Sequence, residues 1–177
     1  MDFIRITWES LEKDCIALAK KIDSTKIDEI VSISRGGNVV SRLLSDLLDL
    51  PISHIAIESY ADLQQEKEPI ITQVSSRAFK GENILLVDEL ADSGKTFLRG
   101  LAYLKALPIS HIYTAAPYYK PHSIYRPDFW KKELDGWIIF PYEMHETLLS
   151  FTKMYNSKEK AKNEMQKIGF KEWEIQE

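Results

Sequence analysis

Apolar residues recur at steps of three and four after Thr7, at Trp8, Leu11, Cys15, Leu18 and Ile22. That stripe predicts an amphipathic helix, with the Thr7 hydroxyl placed to cap its first turn. Glu29–Ile33 (EIVSI) is short and rich in β-branched residues, which predicts a strand ending at Ser34-Arg35-Gly36-Gly37. A second helical stripe follows, with Val40, Leu43, Leu44, Leu47 and Leu48 on one side. It stops near Asp49-Leu50-Pro51, where proline cannot continue a helix. Ser53–Glu58 (SHIAIE) predicts another strand and the polar stretch Tyr60–Pro69 a loop. Asn83–Asp88 (NILLVD) is a nearly continuous apolar run, as expected of a strand buried on both faces of a parallel sheet. Lys95–Leu107 predicts a helix with Phe97, Leu98, Leu101 and Leu104 inward, closed by Pro108. His111–Ala116 (HIYTAA) and Trp137–Phe140 (WIIF) are the remaining predicted strands.

Strand–helix alternation of this kind predicts an α/β fold, a doubly wound, mostly parallel sheet flanked by helices. In such sheets ligands sit beyond the carboxyl ends of the strands, so the residues that follow each strand are the candidates for chemistry. Composition changes at the end of the chain. Asn156–Glu177 is rich in lysine and glutamate, with Ser157 placed to cap a helix carrying Ala161, Met165 and Ile168 and Gly169 placed to end it. The expected organisation is a domain over 1–155 and a charged helical extension over 156–177.

A chain of 177 residues and 20.5 kDa, 44% hydrophobic, suits one domain with a short appendage. Lys and Arg number 23 against 27 Asp and Glu, a net charge of −4. This balance lacks the basic surface that neutralises nucleic-acid phosphates, so no nucleic-acid partner is expected. Cys15 is the only cysteine and makes neither an internal disulfide nor a Cys-based zinc site. His54, His111, His122 and His145 have no close ligand spacing and read as structural or exposed. The opening residues lack the apolar core of a signal peptide, and no apolar stretch approaches about 18 residues. The expectation is a cytoplasmic protein without a membrane span.

The most informative run is Ile84-Leu85-Leu86-Val87-Asp88-Glu89-Leu90-Ala91-Asp92-Ser93-Gly94-Lys95-Thr96. An apolar strand delivers adjacent carboxylates, and a small-residue loop then leads into a helix. Backbone N–H groups of Ala91–Thr96 can converge beside a helix N-terminus, with Ser93 and Thr96 hydroxyls as further donors, which suits a phosphate. Gly94 permits close approach and a positive φ. Gly94-Lys95-Thr96 is not a nucleoside-triphosphate P-loop, because the first glycine of that motif would fall at Glu89, whose charge repels a triphosphate. Carboxylates beside a phosphate cradle fit a sugar phosphate: they accept charge-assisted bonds from vicinal hydroxyls and hold Mg²⁺, usually through waters.

This run resembles the 5-phosphoribosyl-1-pyrophosphate (PRPP) binding signature of the type I phosphoribosyltransferases: four apolar residues, two acids, then a loop closing Asp-Ser/Thr-Gly-x-Thr. The resemblance implies that Asp88 and Glu89 hold the ribose hydroxyls and Mg²⁺, and that Ala91, Asp92, Ser93, Gly94, Lys95 and Thr96 bind the 5′-phosphate. It implies that Ser34, Arg35, Gly36 and Gly37 form the pyrophosphate loop, often built with a non-proline cis peptide, and that Ser59-Tyr60 begins a small mobile hood. Asp92 would be the general base, with an N-terminal helix cap as its alternative role.

The later stations are similar to the bacterial and archaeal 6-oxopurine phosphoribosyltransferases, especially the xanthine–guanine type. There the lysine matching Lys120 donates to the exocyclic O6, the aromatic matching Trp137 stacks on the base, and main-chain atoms at Ile138 read the 2-position. The resemblance spans roughly Ile4 to Glu143, and Pro117–Leu134 is longer and more aromatic than that group leads one to expect. It implies transfer of the phosphoribosyl group of PRPP to a purine base, Mg²⁺ as cofactor, and a homo-oligomer, dimer or tetramer. A non-catalytic PRPP- or nucleotide-sensing regulator on the same fold, and a different base acceptor, are the competing readings.

Overall fold

A computed structural model describes residues 2–58, 61–62, 65–66 and 68–175, with 61–62 and 65–66 as backbone. In chain order the elements are β1 (Phe3–Arg5), α1 (Trp8–Ala19), β2 (Glu29–Ser34), α2 (Gly37–Leu48), β3 (Ile52–Glu58), β4 (Ala61–Asp62), β5 (Gln65–Glu66) and β6 (Ile70–Gln73). Then follow β7 (Asn83–Val87), β8 (Leu90–Ala91), α3 (Lys95–Leu104), β9 (His111–Tyr119), β10 (Phe129–Glu133), β11 (Trp137–Ile139), α4 (Met144–Tyr155) and α5 (Lys158–Lys167). They form two compact units, residues 12–134 and residues 1–11 with 135–177.

The larger unit carries a main sheet in the order β10-β9-β7-β2-β3-β6, with β8 also paired to β9. Within that sheet every pairing is parallel except β3 with β6. Apolar periodicity explains the layering. Val31 and Ile33 of β2, Ile55 and Ile57 of β3, and Ile84 and Leu86 of β7 share a core with Phe97, Leu101 and Leu104 of α3. Gly100 lets α3 settle on the sheet: a Cβ there would lie 3.1 Å from Leu86 Cδ2 and 3.4 Å from Ile57 Cδ1. The intervening strand residues, Ile30 and Leu85, are fully buried on the opposite side. Burial on both faces is why NILLV is an unbroken apolar run.

The chain leaves β2 through α2 toward β3 and leaves β7 through α3 toward β9, in opposite directions along the sheet. The carboxyl ends of the adjacent strands β2 and β7 are therefore the topological switch point, where such sheets bind ligands.

The smaller unit has the parallel pair β1–β11, with Phe3 opposite Trp137 and Ile4 opposite Ile138. Its core joins Ile139, Leu148 and Phe151 to Ala161, Met165, Phe170 and Ile175. Arg5 pairs with Glu174 at 2.5 Å and lies over the Phe170 ring at 4.1 Å. The Ser157 hydroxyl caps α5 by accepting from Lys160 N, and Gly169 follows that helix with φ 97°.

The predicted helices and strands are present, with instructive departures. Thr7 caps α1 by accepting from Ser10 N at 3.1 Å, but Trp8, Leu47 and Leu98 of the predicted apolar stripes are exposed. A helix buries only part of an apolar stripe, and these three positions face solvent. The expected loop over 60–69 contains the antiparallel pair β4–β5, and β6 follows it. The strand expected at His111–Ala116 runs on to Tyr119, and Pro117–Leu134 contributes the edge strand β10. WIIF pairs with β1 in its own small sheet. Helix α4, between it and the charged tail, was not anticipated. Among the described residues no helix is long and apolar enough to cross a membrane.

Candidate active site

At the end of β2 the Ser34–Arg35 peptide is cis, as the resemblance led one to expect. The chain then enters α2 at Gly36 and Gly37, pressed against the end of β7. A Cβ on Gly37 would lie 2.7 Å from Val87 O, and one on Gly36 would overlap the Glu89 carboxylate. At Gly37 only hydrogen admits this approach to backbone, whereas at Gly36 a side chain would force the Glu89 carboxylate to turn away. Asn38 secures the loop: its Oδ1 accepts from the hydroxyls of Ser34 at 2.9 Å and Ser32 at 3.2 Å, and its N–H donates to Arg35 O at 3.1 Å. Sequence reasoning passed over Asn38, although a polar residue directly after a double glycine at a helix start was a usable signal.

Asp88 follows β7 and is buried, its backbone N–H donating to Ala115 O at 3.1 Å. Its Oδ1 accepts the Glu89 N–H at 3.0 Å. Burial first, then the neighbouring Glu89 charge, push the Asp88 carboxyl well above the usual carboxylate range. Glu89 Oε2 is also buried and accepts no hydrogen bond. A buried acceptor left empty beside a second carboxyl is costly in isolation and suits a cation or hydroxyl donors. No group of three or more metal-ligating side chains occurs among the described residues. A Mg²⁺ ion fits this corner on those terms, since it binds through one or two carboxylates and fills its shell from water and substrate oxygens.

After Glu89 the strand β8 aligns Leu90 and Ala91 with Tyr118 and Tyr119, and the loop Asp92-Ser93-Gly94 turns into α3. Gly94 has φ 83° and caps α3 without a side-chain bond to the helix N–H groups. Ser93 Oγ lies 3.4 Å from Lys95 N. The first N–H groups of a helix lack partners within it, so this N-terminus is suited to a phosphate. The segment after β9 is stitched to the loop: Lys120 N donates to Ala91 O and Ile124 N to Ser93 O, both at 3.0 Å. Gly94 is required there, because a Cβ would lie 2.6 Å from Tyr125 N and 2.7 Å from Ser123 Oγ.

Lys120 is mostly buried, with 14% of its side chain exposed, and its Nζ donates to Asp92 Oδ2 at 2.9 Å. His122 Nε2 lies 3.1 Å from Asp92 Oδ1. The candidate base and the candidate O6 donor thus meet directly, together with a histidine that spacing alone had left as structural or exposed. Its signal was its place, two residues after Lys120 in the same turn.

The larger unit therefore gathers Ser34–Gly37, Asp88, Glu89, the loop Ala91–Thr96 and Lys120. Trp137, 42% exposed, and Ile138, buried, belong to the smaller unit. Ser59 and Tyr60 lie outside the described residues.

A parallel α/β sheet with paired carboxyls and an amide-lined helix start at its switch point defines a sugar-phosphate- or nucleotide-binding protein. Residues 7–147 match the phosphoribosyl transferase domain, and the chain belongs to the phosphoribosyltransferase family. Xanthine-guanine phosphoribosyltransferase of Cereibacter sphaeroides is 32% identical over 150 residues, covering 78% of this chain and 86% of that one. The purine phosphoribosyltransferase from Pyrococcus horikoshii superposes with a TM-score of 0.72 at 31% identity, over 80% of this chain and 94% of that one. Helicobacter pylori xanthine-guanine-hypoxanthine phosphoribosyltransferase superposes with a TM-score of 0.71 at 26% identity, over 84% and 99%.

Proposed function

We propose that this protein transfers the 5-phosphoribosyl group of PRPP to N9 of a 6-oxopurine, releasing pyrophosphate, as in purine salvage. The observation that carries the reading is the Asp88–Glu89 pair, with its empty buried oxygen, set between the Ser34–Gly37 loop and the start of α3. That corner offers acids to a vicinal diol, amides to a phosphate at one side and a glycine loop to a second anion at the other. The relatives named for purines support the choice of base.

In the reaction the N9–C1′ bond forms as the bond from C1′ to pyrophosphate breaks, and the electron pair leaves with pyrophosphate. Asp92 accepts the N7 proton, and Lys120 donates to the exocyclic oxygen. Asp88 and Glu89 orient the ribose hydroxyls and would hold Mg²⁺, which when bound offsets charge on the leaving group. The Ala91–Thr96 loop holds the 5′-phosphate, so catalysis is mostly positioning and electrostatics. Trp137 and Ile138 are assigned to the base and Ser59-Tyr60 to the hood on the resemblance alone. The same reading carries a homo-oligomer in the cytoplasm, and 156–177 as an extension to the catalytic domain.

Incubation with PRPP, Mg²⁺ and hypoxanthine, guanine, xanthine, adenine or uracil tests it, with products resolved by chromatography. Nucleoside 5′-monophosphate and pyrophosphate are expected with the 6-oxopurines. Turnover of none of the bases would overturn the reading, and PRPP binding without turnover would indicate a sensor.

A further inference from the structure

Neither oxygen of the Asp92 carboxylate is free in this structure: Lys120 Nζ takes Oδ2 at 2.9 Å and His122 Nε2 takes Oδ1 at 3.1 Å. An ionised carboxylate only accepts, so Nε2 carries the hydrogen, which fixes the His122 tautomer. Both donors come from one turn. Ser123 N donates to Lys120 O at 3.0 Å, closing the turn, and Pro121 at its second position presets the backbone. The bonds from Lys120 N to Ala91 O and from Ile124 N to Ser93 O tie both ends of the turn to the loop that carries Asp92. The turn and its target are thus one framework, built to place one donor on each oxygen.

On the proposed function, Lys120 has a second task at the exocyclic oxygen of the base. Its ammonium is a mobile donor at the end of a flexible stem, so it can leave Oδ2 when base arrives. The terminal torsion of an aspartate is soft, and a carboxylate released on one side would swing. His122 is the restraint that stays.

We propose that His122 is the positioning residue of Asp92: its Nε2–H holds Oδ1 and fixes the carboxylate plane, so that Oδ2, vacated by Lys120, faces the N7 proton. This rests on the purine-transfer reading above. His122 is 59% exposed, and the charged groups recorded at the pair are Asp92 itself and Lys120 on its other oxygen. The position is open enough to substitute without disturbing a core.

His122→Ala is expected to lower kcat about 10-fold, with KM for PRPP unchanged, because a small misplacement of a catalytic group is enough for that loss. His122→Gln, whose amide nitrogen reaches a similar point and donates, should restore most of it. In an Asp92→Asn background His122→Ala should cost nothing further, since the two act as a unit. Wild-type kcat in His122→Ala, or equal losses in both backgrounds, would overturn the proposal. A readout that needs no turnover is ¹⁵N NMR of the His122 ring at one fixed pH: in Asp92→Ala, where the acceptor is gone, the Nε2 resonance should move more than that of Nδ1. No difference between the two proteins would break the pairing. A wild-type protein inactive with every base would overturn the purine reading, while the NMR comparison would still decide the pair.

Discussion

A methyl group on Gly36 would fall on the Glu89 carboxylate, so the glycine of the β2 loop and the second acid after β7 occupy one corner. This contact joins the candidate pyrophosphate loop to the candidate ribose acids across the switch point.

Gly36→Ala should therefore damage binding more than folding. The group it meets is the end of a flexible side chain, which can turn away, but turning it moves Glu89 off the diol. PRPP affinity measured by calorimetry with Mg²⁺ is expected to fall about 10-fold or more, equivalent to at least about 1.4 kcal/mol. Unaltered affinity would detach Glu89 from PRPP.

Asp88 carries a stability cost that function explains. Its folded-state value is raised, so the folded protein keeps this proton over a pH range in which the unfolded chain, titrating near about 3.9, has lost it. The folded state binds more protons there, so stability falls as pH rises through that window. Asp88→Asn removes the penalty. Its melting temperature at pH 7 should exceed that of the wild type, and the difference should vanish below about pH 4. PRPP and Mg²⁺ should raise the melting point of the wild type more than that of the variant. Equal pH profiles would refute the assigned shift.

Asp92→Asn keeps the shape of the side chain and its contact with Lys120 but removes the base. Turnover is expected to drop by about 10²–10⁴-fold with PRPP affinity retained. Lys120→Ala should raise KM for 6-oxopurines. Steady-state kinetics with base and PRPP varied in turn separates these effects, and unchanged turnover in Asp92→Asn would remove it as the base.

The parallel sheet and the acid–loop–helix corner were legible because local chemistry dictates them. A strand buried on both faces must be apolar throughout, and a phosphate cradle needs Gly94 and small neighbours within a few residues. What escaped depends on chain segments meeting from afar. His122 matters only because the turn after β9 folds onto Ser93, and Asn38 because β2 ends beneath it. The strand β10 is polar enough, as FWKKE, to read as surface, since an edge strand needs burial on one face only. The stripes overran at Leu47 and Leu98 because periodicity reports an apolar face but not its width.

The charge of the last segment hides apolar positions that its periodicity does announce. Ala161, Met165, Phe170 and Ile175 are buried with Ile139, Leu148 and Phe151, and Phe3 packs against that cluster from the other end of the chain. The tail thus completes the core under β1 and β11, and β11 carries Trp137 and Ile138, the residues assigned to the base. Phe170 contributes twice, by filling this core and by receiving Arg5 on its ring. Phe170→Ala should cost about 3–5 kcal/mol of unfolding free energy, the usual range for a buried aromatic, read from urea titration. If Trp137 serves the base from this unit, the variant should also raise KM for the purine while leaving KM for PRPP near the wild-type value. A destabilised variant with both constants unchanged would separate the tail from the base site and leave it a purely structural element.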